Sequence, residues 1–343
     1  LERLIAELSA DQGKKLFALG TATRAMINGG PGTGKTILAV AKAAELANKG
    51  KKVLLTCYND PLRDYLRETF QGSKESKSKP KLLDYVTIQN FHGLCKTFAT
   101  KAGIKIPTLS PQADRNERNA YYQTTLPNLL IQALDKCPEH TFDAIIVDEG
   151  QDFSVDWLTQ LLLCLKEPDK GLFYFFYDNN QIPMKLKDQN LSSRLRLEHS
   201  IHTELTLYEN FRNTREIFHF TQQFYDGPVP LEGKGPGGMG FKPTKIQYSN
   251  EKELFDELNS CLQNMLGTTL YKNHKLIGSD IAILTPRSVL KSCLINFKPK
   301  GNFNLELMAA DSTTNGRYKH DPRLIPVWSI QRFKGLEAPI VIV

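Results

Sequence analysis

Gly29-Gly30-Pro31-Gly32-Thr33-Gly34-Lys35-Thr36 fits G-x-x-x-x-G-K-[ST], a spacing suited to gripping phosphate. Glycines let the backbone wrap an anion with its N–H groups, and the helix that follows adds its positive end. In such a loop Lys35 would reach the β- and γ-phosphates of ATP, and the Thr36 hydroxyl would ligate Mg²⁺. The apolar run Ala25-Met26-Ile27 precedes the loop, and an alanine-rich helix from Ile37 to Lys49, stopped by Gly50, follows it. That is the strand–loop–helix order the motif needs. The second stretch with chemistry is Ala144-Ile145-Ile146-Val147-Asp148-Glu149, an apolar strand ending in two carboxylates. An acid at this point of a P-loop fold holds Mg²⁺ directly or through water, the role expected of Asp148. Glu149 beside it would orient and deprotonate an attacking water.

These residues need a scaffold that brings distant loops to one place. Strand-length apolar runs alternate with helical stretches from Ala25 onward: Lys52 to Thr56, Tyr85 to Ile88, Ala144 to Val147 and Leu172 to Tyr177. Continuous apolar strands spaced by helices predict a parallel sheet covered on both faces, an α/β fold. Gly72 to Lys81 is polar and aperiodic and reads as a loop, and Asn116 to Leu134 as a helix, within a small insertion spanning about 66–134. A second alternating set starts near Thr203. It comprises Glu204 to Leu207, a helix from Thr214 to Phe224, Lys245 to Tyr248, a helix from Glu251 to Met265, Ile281 to Leu284 and a final inner strand, Ile340 to Val343. Leu231 to Lys242 is a glycine-rich connector. The expected division is a first domain over 1–200 and a second over 201–343.

With 343 residues the chain has room for about two cored domains. No apolar run approaches the ~20 residues of a membrane span, and Leu1-Glu2-Arg3 does not open a signal peptide. The first residue is not Met, so further domains are expected in a longer parent. A net charge of +7 suits a polyanionic partner. Cys57, Cys95, Cys137, Cys164, Cys261 and Cys293 are scattered, with no C-x-x-C pair. Neither a zinc site nor a disulfide framework is indicated, and a reducing, cytoplasmic setting fits.

Asp148-Glu149-Gly150-Gln151-Asp152 is the D-E-x-Q-D form found in superfamily 1 helicases, and the chain resembles their UvrD/Rep-like group. Leu54-Leu55-Thr56-Cys57-Tyr58-Asn59 and the segment from Thr87 through Phe91-His92-Gly93-Leu94 are similar to that family's strand-contacting segments. Tyr177-Asp178-Asn179-Asn180-Gln181 resembles its γ-phosphate-sensing segment, and Leu207-Tyr208-Glu209-Asn210-Phe211-Arg212 the N-[YF]-R motif that opens its second domain. Lys334-Gly335-Leu336-Glu337 matches a later K-G-L-E motif, and Leu8-Ser9-Ala10-Asp11-Gln12 its adenine-reading segment.

The resemblance implies two RecA-like domains with ATP–Mg²⁺ in the cleft between them. Arg212 would bring a cation from the second domain to the γ-phosphate, Phe211 would stack on adenine, and Gln181 would link water and γ-phosphate. Gln12 and Glu337 join the nucleotide-binding set. Tyr58, Asn59, Phe91 and His92 would line a groove for single-stranded DNA, with RNA an alternative. The implied activity is an ATP-driven helicase moving 3′ to 5′. A translocase that does not unwind, or a nucleotide-dependent switch in a defence or signalling assembly, stays open beside it. Ile37 stands where the group commonly has Arg, and Gln331 where His is usual. Gln331-Arg332-Phe333-Lys334 is similar instead to helicases joined to a nuclease-related (NERD) domain. The family's last motif, with a further arginine, would be expected beyond Val343.

Overall fold

The computed structural model describes residues 10–72, 82–110, 112–181, 193–196, 201–210, 212–224, 240–269, 275–309, 319 and 321–343. Most of the Gly72 to Lys81 loop, most of the connector and Phe211 lie outside the described residues. The chain divides into two compact units, Leu1–Pro243 and Thr244–Val343.

The first unit is built on β1 (Arg24–Gly29), β2 (Val53–Cys57), β3 (Val86–Asn90), β4 (Ala144–Val147), β5 (Leu172–Tyr177) and β6 (Thr203–Leu207). They form one sheet in the order β3-β2-β4-β5-β1-β6, every neighbouring pair parallel. Side chains alternate across it. Phe173, Phe175 and Tyr177 enter one core with Leu54, Ile145 and Val147, while Tyr174 and Phe176 enter the other with Ile27, Leu55 and Ile146. Both faces are therefore apolar, which is why these strands read as unbroken hydrophobic runs. Helices α1 (Ala10–Thr21), α2 (Lys35–Asn48) and α3 (Asp60–Gly72) supply Leu19, Leu38 and Leu62 to one core. On the other face lie α4 (Phe91–Lys101), α6 (Leu126–Lys136) and α7 (Val155–Leu162), contributing Phe91, Leu130 and Trp157.

Two expectations change here. The span 66–134 is not a separate insertion, because β3 within it pairs with β2 and α4 packs on the sheet. The helix expected over 116–134 is α5 (Arg115–Ala120), a π turn over Tyr121–Thr125, and then α6. Pro127 in the first turn of α6 has no N–H for an i−4 carbonyl, which favours widening the helix just before it. The domain boundary also moves. β6 was placed in the second set, yet Ala25 to Gly29 pair in parallel with Thr203 to Leu207, and the first unit runs on through α8 (Arg215–Gln222) to Pro243.

In the second unit β7 (Ile281–Thr285), β8 (Asn304–Leu307), β9 (Leu324–Ser329) and β10 (Ile340–Ile342) form a parallel sheet in the order β10-β7-β9-β8. Helix α9 (Glu251–Met265) buries Leu258 and Leu262 against Ile281, Ile283, Ile325 and Val327. Lys245 to Tyr248, expected as a strand, is exposed and without regular structure. β10 pairs with β7 at an edge of the sheet rather than inside it. A short helix, α10 (Ile330–Phe333), follows β9, and the Lys334–Glu337 segment turns at Gly335 with Leu336 packed beside Trp328 and Met308. Glu337 is exposed.

Candidate functional site

Because all six strands of the first sheet run the same way, every loop that follows a strand emerges at one edge. That carboxyl edge is where ligands bind in open α/β sheets. The loops after β1, β4, β5 and β6 carry Gly29 to Thr36, Asp148 to Asp152, Asp178 to Gln181 and Tyr208 to Arg212. Those after β2 and β3 carry Tyr58, Asn59, Phe91 and His92.

At the P-loop, Gly32 and Gly34 take positive φ values of 78° and 84° around Thr33, a conformation that turns successive N–H groups inward. Thr33 is buried and its hydroxyl donates to the Gly30 carbonyl at 2.8 Å. Lys35 Nζ donates to the carbonyls of Gly29 at 2.7 Å and Gly30 at 3.1 Å, so the ammonium is folded over the mouth of its own loop. Pro31 is exposed at the tip, and Thr36 is buried in the first turn of α2.

Asp148 is fully buried at the end of β4, and neither carboxylate oxygen has a hydrogen-bond partner. Burial, and then the charge of Glu149, push its pKa up to about 7, while Thr36 and Lys35 nearby pull the other way. The Thr36 hydroxyl is close enough to favour the anion without making a hydrogen bond of normal geometry. A buried, unpaired carboxylate is costly unless a cation meets it. With a hydroxyl beside it, this all-oxygen donor set fits Mg²⁺.

Glu149 has φ 52° and ψ 42°, the single non-glycine residue with positive φ among those described. The sharp turn is kept by Gly150, where any side chain would drive into the ring of Phe175. Past it, the Gln151 side chain is fully buried. Its amide N–H donates to Glu149 Oε2 at 2.5 Å, and its carbonyl accepts from the Asp178 backbone N–H at 3.0 Å. Asp178, also fully buried, accepts from the Asn180 N–H at 2.9 Å and from the Gln181 amide at 2.8 Å. Its pKa is raised by burial, with Lys35 opposing. Gln151 and Asp178 stood inside motifs read from the sequence, but their roles depend on β5 lying beside β4.

Arg212, expected from the second domain, belongs to the first unit. The parallel pairing of β6 with β1 delivers its loop to the P-loop. Asn210 is buried there. Its Oδ1 accepts from the N–H groups of Arg212 at 3.0 Å and Asn213 at 3.1 Å, and the same oxygen fills the space that a side chain on Gly32 would need. Arg212 is exposed, with its β-carbon close to Gly32. Gln12 is in α1; its side chain lies outside what is described. Three residues further on, Lys15 reaches the Thr206 carbonyl at 2.8 Å and sits over the Tyr208 ring.

A family model described as an AAA domain matches residues 14–187, just over half of the chain. The chain belongs to the AAA domain family. This is a P-loop, helicase-like domain found in UvrD/Rep-type proteins, and it supports a nucleotide-dependent ATP hydrolase in general. The match takes in the P-loop, Asp148-Glu149 and the segment through Gln181, and stops short of Arg212 and the second unit. No curated protein matches the chain. Among the described residues no helix is long and apolar enough to cross a membrane.

The other half of the edge is aromatic. Phe91, expected as a base-stacking surface, is fully buried and stacks on Trp157 with ring centres 4.8 Å apart, so it is a core residue. Asn59 accepts the Leu62 N–H at 2.8 Å and caps α3. Tyr58 is half-buried and stacks on the same ring, Trp157, with centres 6.5 Å apart. His92 meets the edge of Trp157 and approaches the Tyr122 carbonyl at 2.9 Å; burial lowers its pKa and favours the neutral ring. Trp157 and Tyr122 were not singled out from the sequence. Trp157 shares an apolar helical face with Leu158 and Leu161, so its pattern is that of any core residue.

Proposed function

We propose that this chain is the motor core of a UvrD/Rep-like superfamily 1 protein, an ATP-dependent DNA helicase or translocase that moves 3′ to 5′ on a single strand. The observation that carries this reading is the hydrogen-bonded path from Glu149 through Gln151 and Asp178 to Gln181, set beside a P-loop and an Asn210-held arginine.

In this reading Lys35 leaves the Gly29 and Gly30 carbonyls for the β- and γ-phosphates. Asp148 and Thr36 would hold Mg²⁺, which when bound offsets phosphate charge. Glu149 takes the proton from the attacking water as general base. Gln181 orients that water, and Arg212 presents its guanidinium to the γ-phosphate. In the aromatic half the half-buried Tyr58 and His92 keep a surface that a nucleic-acid strand could use, beside the exposed Tyr122. Base stacking there would be tolerant of sequence, and phosphate contacts would make binding salt-dependent.

ATP turnover of the full-length protein with and without single-stranded DNA and RNA tests the proposal. Turnover should rise severalfold or more with a single strand. Turnover indifferent to both nucleic acids would sink the motor and leave the nucleotide switch. Strand displacement then separates helicase from translocase.

A further inference from the structure

The Gln151 side chain is an amide used at both ends. Its N–H₂ group faces the Glu149 carboxylate and its oxygen faces the Asp178 N–H. Only one orientation of the amide serves both neighbours, because a flipped group would set oxygen against carboxylate and N–H₂ against N–H. Nothing about the location is loose: Gln151 is fully buried, and the turn before it is locked by Phe175 against Gly150. Glu149 itself sits in the left-handed region, where a non-glycine residue persists only if its surroundings hold it. Its carboxylate therefore has its direction set by a partner that also reads the loop after β5.

We propose that Gln151 is a positioning residue for hydrolysis: it aims the Glu149 carboxylate and ties that aim to the Asp178–Gln181 loop. The proposal rests on Glu149 being the general base. It adds that the base is not aimed by its own backbone alone, so that movement of the loop bearing Gln181 is felt at Glu149 through one amide. Asp178 completes the tie by accepting from Gln181, so the two side chains that act on the attacking water in the proposed reaction hang from one buried path.

Two substitutions in the full-length protein separate positioning from support of the fold. Gln151→Leu removes both hydrogen bonds. Gln151→Glu keeps an acceptor for the Asp178 N–H and replaces the donor to Glu149 by a like charge. Steady-state hydrolysis over a range of ATP concentrations, affinity for a fluorescent ATP analogue, and thermal unfolding are measured for each. Both variants should lose about tenfold to a hundredfold in kcat, within the span of a misdirected general base, while KM and analogue affinity stay within about threefold. If Gln151→Leu fails to fold, Gln151→Glu alone decides, since it retains the contact across the strands. Gln151→Glu with parental kcat, or losses that appear only in KM and unfolding temperature, would overturn the proposal. Glu149→Gln is run in parallel. If it keeps parental turnover, Glu149 is not the base and the proposal falls with that reading. If it is inactive while both Gln151 variants are at parental kcat, only the positioning role is lost.

Discussion

The two halves of the carboxyl edge are built in opposite ways. On the nucleotide half, polar groups are buried and held ready: Asp148 without a partner, Asp178 and Gln151 in a hydrogen-bonded path, and Asn210 clamping the arginine turn. On the aromatic half, the residues closest to the sheet are spent on packing. Phe91 fills the core against Trp157 and Phe153, and Asn59 caps a helix. A core can be stabilised by any well-packed ring, whereas a buried carboxylate without a donor costs stability and has to be repaid by a ligand. The nucleotide half thus carries its function in groups that make poor structural sense alone. The aromatic half keeps accessible surface only in its outer layer, at the half-buried Tyr58 and His92 and the exposed Tyr122.

The sharpest way to break that contrast is to cut into the aromatic half at two depths. Phe91→Ala empties a fully buried position and should cost about 3–5 kcal/mol of stability, read by urea unfolding. Tyr58→Ala removes a half-buried ring. It should cost less stability but weaken single-strand binding by about 1–3 kcal/mol for the base that stacks there, read by fluorescence anisotropy. If Phe91→Ala left stability untouched while Tyr58→Ala left strand binding untouched, the assignment of inner and outer layers would be reversed.

On the nucleotide half the expected pattern is the opposite: loss of ligand with little loss of fold. Lys35→Ala removes the ammonium whose visible work is two hydrogen bonds to loop carbonyls. Charged hydrogen bonds are worth about 1.5–3 kcal/mol each. Losing those to the β- and γ-phosphates should lower ATP affinity at least a hundredfold, measured by isothermal titration calorimetry. The unfolding temperature should change by only a few degrees, since the loop carbonyls can turn to water. Unchanged affinity in a folded variant would remove the phosphate-binding assignment.

How much of this was legible follows the same division. The P-loop was readable because its function is a property of consecutive backbone groups, so spacing and residue type suffice. The strands of the first sheet were readable because burial on both faces makes them continuous apolar runs. Arg212 was misplaced because alternation resumes near Thr203 as it would in a new domain. Only the hydrogen bonding of β6 to β1 shows that the strand completes the first sheet. In the second unit β8 and β9 went unread: β8 is four residues long, and β9 contains Pro326, which argues against a central strand. It is tolerated because the pairing with β7 starts at Val327, one residue later. Gln151 and Trp157 were hidden for another reason. Each acts through residues from other strands or helices, and no local pattern records which neighbour a fold supplies.

The smallest expected effect is the one that tests whether Asn59 belongs with the outer layer or with the scaffold. It stands beside Tyr58 in a segment that resembles a strand-contacting motif, and its neighbour keeps a surface. Its own side-chain oxygen, however, accepts from the Leu62 N–H, one of the donors that the start of α3 would leave unsatisfied. Loss of such a cap costs about 1 kcal/mol, so Asn59→Ala should lower stability by that amount and leave single-strand affinity within about twofold. Asn59→Asp keeps the acceptor and places a negative charge at the positive end of α3, so it should hold stability at or slightly above the parent. A strand contact would answer differently: Asp would repel the phosphates and weaken binding more than Ala does. Unfolding and anisotropy on the two variants therefore separate the roles. Parental stability in Asn59→Ala together with weakened strand binding in both would move Asn59 out of the scaffold and extend the nucleic-acid surface to the start of α3.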